Sequence, residues 1–299
     1  MDWRGRRKSS NVDDRRGQPL RAGAGGGAGL LMLVRILPWL LRSKGGRALL
    51  LVGVVGFFGA QMLGIDLLQL TTGAGAPAQQ VPVSAEDQEL ADFVAVVLAD
   101  TEQTWQKIFA ASGSRYEEPT LVLFTQRVAS ACGTASSAIG PFYCRADRKV
   151  YLDLTFFRDL DRQLGAPGDF AQAYVIAHEV GHHIQTLLGI SQQVRARGQG
   201  KSAAEVNNLS VRQELQADCF AGLWGHSAKH YSDMLEPGDL EEALQAASAI
   251  GDDRLQKRGG GEVVPDSFTH GTSAQRVTWF RRGFDSGDFS QCDTFAAVI

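Results

Sequence analysis

His178-Glu179-Val180-Gly181-His182 is the stretch from which this chain is best read. On a helix, the i, i+4 spacing sets both imidazoles on one face, one turn apart, where they can close on a single tetrahedral Zn²⁺. Glu179 then points beside the metal. From there it can take a proton from a water whose pKa the metal lowers, and pass that proton to a leaving amine. The flanks predict a buried helix: Ala171, Tyr174, Val175, Ile176, Ile184, Leu187 and Leu188 are apolar, Asp169 and Gln172 stand in capping-box spacing, and Gly189 marks the stop.

A catalytic zinc takes a third protein ligand and leaves one position open. Position 185 is Gln and position 188 is Leu, so the HExxHxxGxxH spacing is absent and a carboxylate is required. Glu205 lies three residues after Ser202 and reads as half of a capping box. Glu214 lies deeper in the same predicted helix, with Asp218 one turn on and Leu215, Phe220, Leu223 and Trp224 around them. Glu214 is thus the expected ligand. Asp218 is placed to accept a hydrogen bond from the other ring nitrogen of a zinc histidine, fixing its tautomer. The alternative is two acidic residues on a solvated helix face.

HEVGH followed by ExxxD on a second helix looks like the gluzincin pattern, and Glu214-Leu-Gln-Ala-Asp-Cys-Phe-Ala-Gly222 resembles the bacterial membrane-anchored "putative neutral zinc metallopeptidase" family. The segments Trp3 to Asn11, Cys132 to Cys144 and Thr269 to Val277 are similar to that family too, so the resemblance covers nearly the whole chain. It implies a zinc-dependent peptidase on an α+β, zincin-like domain, mostly helical with a small sheet. His270 resembles the downstream histidine of membrane-associated gluzincins and would stabilise an oxyanion, with Arg276 as a second cation. The alternative for His270 is a loop histidine with no chemical duty. Tyr174 and Tyr231 are lesser candidates as donors. By the same resemblance, the strand near Val150 to Leu154, or the loop before it, borders the cleft.

The remaining histidines are set apart by helix geometry. His183 is turned by about 100° from His182 and reads as packing or surface. His226 and His230 lie about 18 Å along the helix from Glu214 and read as favourable charges near a helix C-terminus.

The net charge of -3 over 299 residues hides an asymmetry. Positions 1–47 hold eleven Lys and Arg against three Asp. An apolar run at 48–68 follows, which reads as a single positive-inside transmembrane helix. The expected organisation is a basic cytoplasmic tail at 1–47 with an apolar segment at 30–41, an anchor at 48–68, a linker at 69–83 and the peptidase domain at 84–299. Residues 1–29, rich in Arg and Gly, are expected to be disordered, and their charge reads as a solvated tail with no nucleic-acid partner. The protein would be single-pass in the cytoplasmic membrane, N-terminus inside and catalytic domain outside. Nothing in the sequence bears on oligomeric state.

Four cysteines, an even count, agree with an oxidising compartment. Three connectivities are open. The short loop favours Cys132 with Cys144, which leaves Cys219 with Cys292. Beyond the site helices, Ser84 can cap a long amphipathic helix, 120–125 and 149–155 read as strands with a loop at 132–144 between them, Asp239 and Glu242 open a helix running to about 258, and Thr272 and Gln275 cap another. The expected function is hydrolysis of a peptide or protein substrate with Zn²⁺ as cofactor. The rival readings are a zinc-containing envelope binding or chaperone-like module, and a latent peptidase with 191–201 or the C-terminal tail covering its cleft.

Overall fold

The structure, a computed structural model, describes residues 1–18, 83–260 and 262–299. One compact unit joins residues 1–16 to 83–299, and residues 17–82 form a separate unit. The predicted anchor at 48–68, the apolar run at 30–41 and the linker up to position 82 lie outside the described residues. Among the described residues no helix is long and apolar enough to cross a membrane.

A four-stranded sheet forms one side of the fold. Its order is β1 (Val12–Asp14), β2 (Thr120–Phe124), β6 (Lys149–Asp153) and β5 (Phe142–Cys144), with the first three parallel and β5 antiparallel at the edge. A hairpin of β3 (Arg127–Ser130) and β4 (Gly133–Ser136) stands beside it. The run Leu121-Val-Leu-Phe124 does not alternate with polar residues because both faces are covered. Leu121, Leu123, Val150 and Leu152 join the main core, while Val122, Phe124 and Tyr151 pack with Val128 and Ala135 of the hairpin. The predicted loop at 132–144 is therefore corrected: it contains β4, a 3₁₀ turn at Ser137–Ile139 and β5.

Helices make up the rest. They are α1 (Ala85–Ala111), α2 (Thr155–Arg162), α3 (Asp169–Leu187), α4 (Ile190–Gly198), α5 (Ala203–His230), α6 (Asp239–Ala249), α7 (Asp252–Arg258) and α8 (Ser273–Ser286). Ser84, Ser202 and Thr272 cap α1, α5 and α8 as expected, the last two with full capping boxes. The start of α3 is different. Gly168 is its N-cap with no side-chain bond, and Glu242 of α6 accepts from the Phe170 amide at 3.0 Å instead. The helix expected from 239 to about 258 breaks at Gly251, where a Cβ would lie 2.4 Å from the Ser273 amide nitrogen.

Residues 1–16 are an ordered arm, which corrects the disorder expected at those positions and the expected domain start at 84; positions 19–29 of that expectation lie outside the described residues. Trp3 packs edge-on against Phe93 of α1, and β1 extends the sheet. Glu102 of α1 is buried, and a buried carboxylate is costly without partners. The arm supplies them: Arg7, Ser9 and Asn11 all donate to it. The Met1 amino group sits 3.0 Å from Asp169 and 3.3 Å from Asp239, inside an acidic group that also includes Glu242. Burial weighs against its charge, and the carboxylates outweigh it, holding its pKa up to about 10.

Candidate active site

The helix α3 crosses α5 at Gly181, where an added Cβ would meet the backbone and side chain of Ala217 at 3.0–3.2 Å. This close approach brings Glu214 to the two histidines. His178 Nε2 lies 3.1 Å from Glu214 Oε2, and His182 Nε2 lies 3.4 Å from Glu214 Oε1. Neighbouring ligand atoms around a tetrahedral zinc with bonds of about 2.0–2.1 Å stand about 3.3 Å apart. The trio therefore fits a zinc ion, by donor chemistry as well as by spacing. Among the described residues no fourth metal-ligating side chain joins it. Glu205 is excluded as a ligand: it is exposed, tied to Ser202 in the capping box and to Lys201 at 2.9 Å.

Each histidine has its Nδ1 engaged on the far side. His178 Nδ1–H donates to Asp218 Oδ1 at 2.9 Å. Asp218 is fully buried and takes three further donors: Tyr174 Oη at 2.5 Å, Arg276 Nε at 2.8 Å and Arg276 Nη2 at 2.9 Å. Burial alone would raise the Asp218 pKa, yet Arg276 and His178 bring it down to about 2. Burial would lower that of His178, yet Asp218 and Glu214 hold it up to about 9. The same imidazoles, against the opposing effect of burial, keep Glu214 well below the usual carboxylate range. The site is thus a preformed set of opposite charges.

Glu179 is buried and borders a cleft of 780 Å³ that also includes His178, His182, Glu214 and His270. Its carboxylate interacts electrostatically with the His182 imidazole and faces the cleft beside the ligand trio. His270 lines this cleft but is half exposed, and its Nδ1 lies 3.2 Å from Asp252 Oδ1. Asp252 also accepts from the backbone amides of Thr269, His270 and Gly271, so the loop is held as a unit. The lesser donor candidates take other positions. Tyr231 is 72% exposed at the end of α5, Tyr174 gives its proton to Asp218, and Arg276 spends its guanidinium on the same carboxylate.

His183 packs inward, donating from Nε2 to the Glu117 carbonyl at 2.6 Å and accepting from Tyr143 Oη at 3.1 Å. His226 donates to the Phe284 carbonyl at 2.8 Å, away from the cleft. The strand beside the cleft is β5, with Phe142 and Tyr143 in the lining; β6 is hydrogen-bonded on both sides and has no free edge. Residues 190–198 form α4, and neither they nor the C-terminal tail line the cleft, so the described residues include no such cover. The disulfides are Cys132–Cys144 and Cys219–Cys292, the expected pairing. Sequence reading missed Gln185, which accepts from His182 Nδ1 at 3.0 Å. Its i+3 position on the helix was the available signal.

The family model described as "Putative neutral zinc metallopeptidase" matches residues 1–295. The chain is 52% identical to the "Uncharacterized protein YpfJ" of Escherichia coli K12 across the full length of both proteins. It is 38% identical to the "Uncharacterized protein Rv2575" of Mycobacterium tuberculosis H37Rv, over 79% of this chain and 77% of that protein. No solved structure matches the chain. With HExxH, Glu214 and Asp218 assembled on α3 and α5 and the family model spanning both the arm and the domain, the chain belongs to the family described as "Putative neutral zinc metallopeptidase".

Proposed function

We propose that this protein hydrolyses peptide bonds, with zinc held by His178, His182 and Glu214 and with Glu179 as the proton carrier. The observation that carries the reading is the convergence of three ligand atoms within 4.8 Å of one another, in the lining of a cleft and beside the buried carboxylate of Glu179. A purely structural zinc would be closed by a fourth side chain and would have no use for that carboxylate.

When bound, zinc supplies Lewis-acid polarisation to a peptide carbonyl and acidity to a water. The chain's own residues do the rest. Glu179 accepts the proton of the attacking water on its carboxylate and returns it to the amine of the departing half. Asp218 keeps the proton of His178 on Nδ1, so Nε2 faces the metal position. His270, from the cleft wall, stabilises negative charge developing on the carbonyl oxygen. Among the described residues no strand lies beyond β5, and this edge pairs with an extended substrate backbone, which makes a peptide or an unfolded protein segment the fitting substrate. Two disulfides support an oxidising compartment for this work.

The test is zinc content together with cleavage of an unbiased peptide library by the full chain, wild type beside Glu179→Gln. One equivalent of zinc in both, with cleavage by the wild type alone, is the expected result. Zinc in both and cleavage by neither would leave a binding module and end the peptidase reading. Glu214→Ala should weaken zinc binding while Glu205→Ala leaves it unchanged.

A further inference from the structure

The two zinc histidines are held in different ways. His178 leans on a carboxylate, Asp218, which Arg276 neutralises. His182 leans on an amide, Gln185, whose side chain is completely buried. An amide can present either its oxygen or its nitrogen, so something must decide which end faces His182.

The surrounding bonds make that decision. Gln185 Nε2 donates to the Gln213 carbonyl at 2.7 Å and to Gln216 Oε1 at 3.1 Å. Both partners are acceptors, so the nitrogen must lie on that side and Oε1 must face His182. Gln216 is itself an amide with the same ambiguity, and it is resolved by the Cys292 carbonyl, which accepts from Gln216 Nε2 at 3.0 Å. A backbone carbonyl cannot flip. Cys292 in turn is tied to Cys219 of α5, one residue past Asp218. The tail following it is pinned to the same helix: Thr294 Oγ1 donates to the Arg212 carbonyl at 2.7 Å, and Arg212 donates to the Ala297 carbonyl at 2.9 Å.

We propose that Gln185 and Gln216 are positioning residues for His182, a two-amide relay that starts at the disulfide-clamped Cys292 carbonyl and ends by holding a proton on Nδ1 so that Nε2 is left for the metal. This rests on the zinc reading of the trio. It adds that the C-terminal turn, far along the chain and outside the cleft, sets the geometry of one zinc ligand. The relay is also the reason two glutamines are buried between α3 and α5, where apolar side chains of similar volume would pack at lower desolvation cost.

Methionine matches glutamine in length and removes the hydrogen bonds, so Gln185→Met and Gln216→Met are the variants. Two readings are taken on each full-length protein. The first is zinc affinity by competition with a chelator. The second is the His182 Nδ1–H signal in the NMR spectrum, followed with and without zinc, which reports the bond to Gln185 whether or not metal is bound. In the wild type this proton should exchange slowly in both forms. Gln185→Met should lose that protection and about 10–100-fold in zinc affinity, the usual cost of removing a residue that orients a metal ligand. Gln216→Met should shift both in the same direction by less, because the Gln213 carbonyl still holds Gln185. Protection and affinity unchanged in Gln185→Met would overturn the proposal. If Gln185→Met does not fold, the same two readings on Gln216→Met decide it: wild-type values for both would overturn the relay. A protected Nδ1–H in a wild type that binds no zinc would support the relay's hold on His182 and sink the metal reading instead.

Discussion

His182 and His183 are neighbours in sequence with opposite environments, because successive helix positions turn by about 100°. His183 is buried against the Glu117 carbonyl and Tyr143, and burial pushes its pKa from 6.5 down to about 4. Above pH 6.5 the imidazole is neutral in both folded and unfolded chains, so it adds no pH dependence there. Between 6.5 and 4 only the unfolded chain takes up the proton, and stability falls by about 3 kcal/mol at most. Urea denaturation of the chelator-treated protein across this window should show that slope, and His183→Gln should flatten it; an equal slope in both would mean His183 is protonated in the fold. Asp218→Asn should cost about 3–5 kcal/mol, since it leaves the buried Arg276 guanidinium without a counter-charge. It should weaken zinc binding as well, and a variant with wild-type stability and affinity would contradict the role given to Asp218. His178, Glu179, His182, Glu214 and Asp218 were all legible in the sequence because helical periodicity converts spacing into geometry. Gln185 and Gln216 escaped, and Tyr174, weighed as an oxyanion donor, gives its proton to Asp218 instead, because these roles depend on which helices cross, and nothing local encodes that.

The crossing of α5 and α8 is written in two glycines. A Cβ on Gly222 would lie 2.0 Å from the Phe280 carbonyl oxygen, and one on Gly283 would lie 2.0 Å from the Cys219 carbonyl oxygen. The two backbones touch here, and the contact lies between Arg276 and the Cys219–Cys292 bridge. Gly222→Ala must therefore separate the helices, where a surface glycine in a helix would gain stability from the same change. The expected cost is about 3 kcal/mol or more in denaturant unfolding. Zinc affinity should fall with it, as Arg276 withdraws from Asp218; a fully stable Gly222→Ala would show that α8 moves freely on α5. At this scale β2 and β6 were readable as apolar runs, whereas β3, β4 and β5 are three or four residues each, too short for a period-2 pattern to show. The break between α6 and α7 was equally hidden. Gly251 is forced by the approach of Ser273, a residue twenty-two positions away in the chain.

For the molecule as a whole, the arm is the least legible part, since an Arg-rich stretch beside glycines has the composition of a disordered tail. Its order comes from what it touches: it covers Phe93 and neutralises the buried Glu102, and neither demand is visible from the arm's own residues. The arm also constrains topology. Arg16, its last residue, donates to the Asp87 carbonyl at 2.6 Å, in the first turn of α1, so the chain leaves the unit at 17 and re-enters it at 83 beside the same helix end. A single membrane crossing between those points would put the arm and the domain on opposite faces, and would strip Glu102 of its partners. Both flanks are therefore predicted to lie on one side, whatever contact 17–82 makes with a bilayer. Single cysteines at Arg4 and Arg162, both exposed, would report this, because the four native cysteines are all in disulfides. A membrane-impermeant maleimide applied to intact cells, and then to inverted vesicles, should label both positions from the same side. Labelling from opposite sides would mean that the arm is not docked in the cell. Deletion of 2–16 is the energetic counterpart: it leaves a buried carboxylate unpaired and should cost about 3 kcal/mol or more. A fragment beginning at 84 should accordingly be much less stable than the full chain, and equal stability of the two would show the arm to be dispensable.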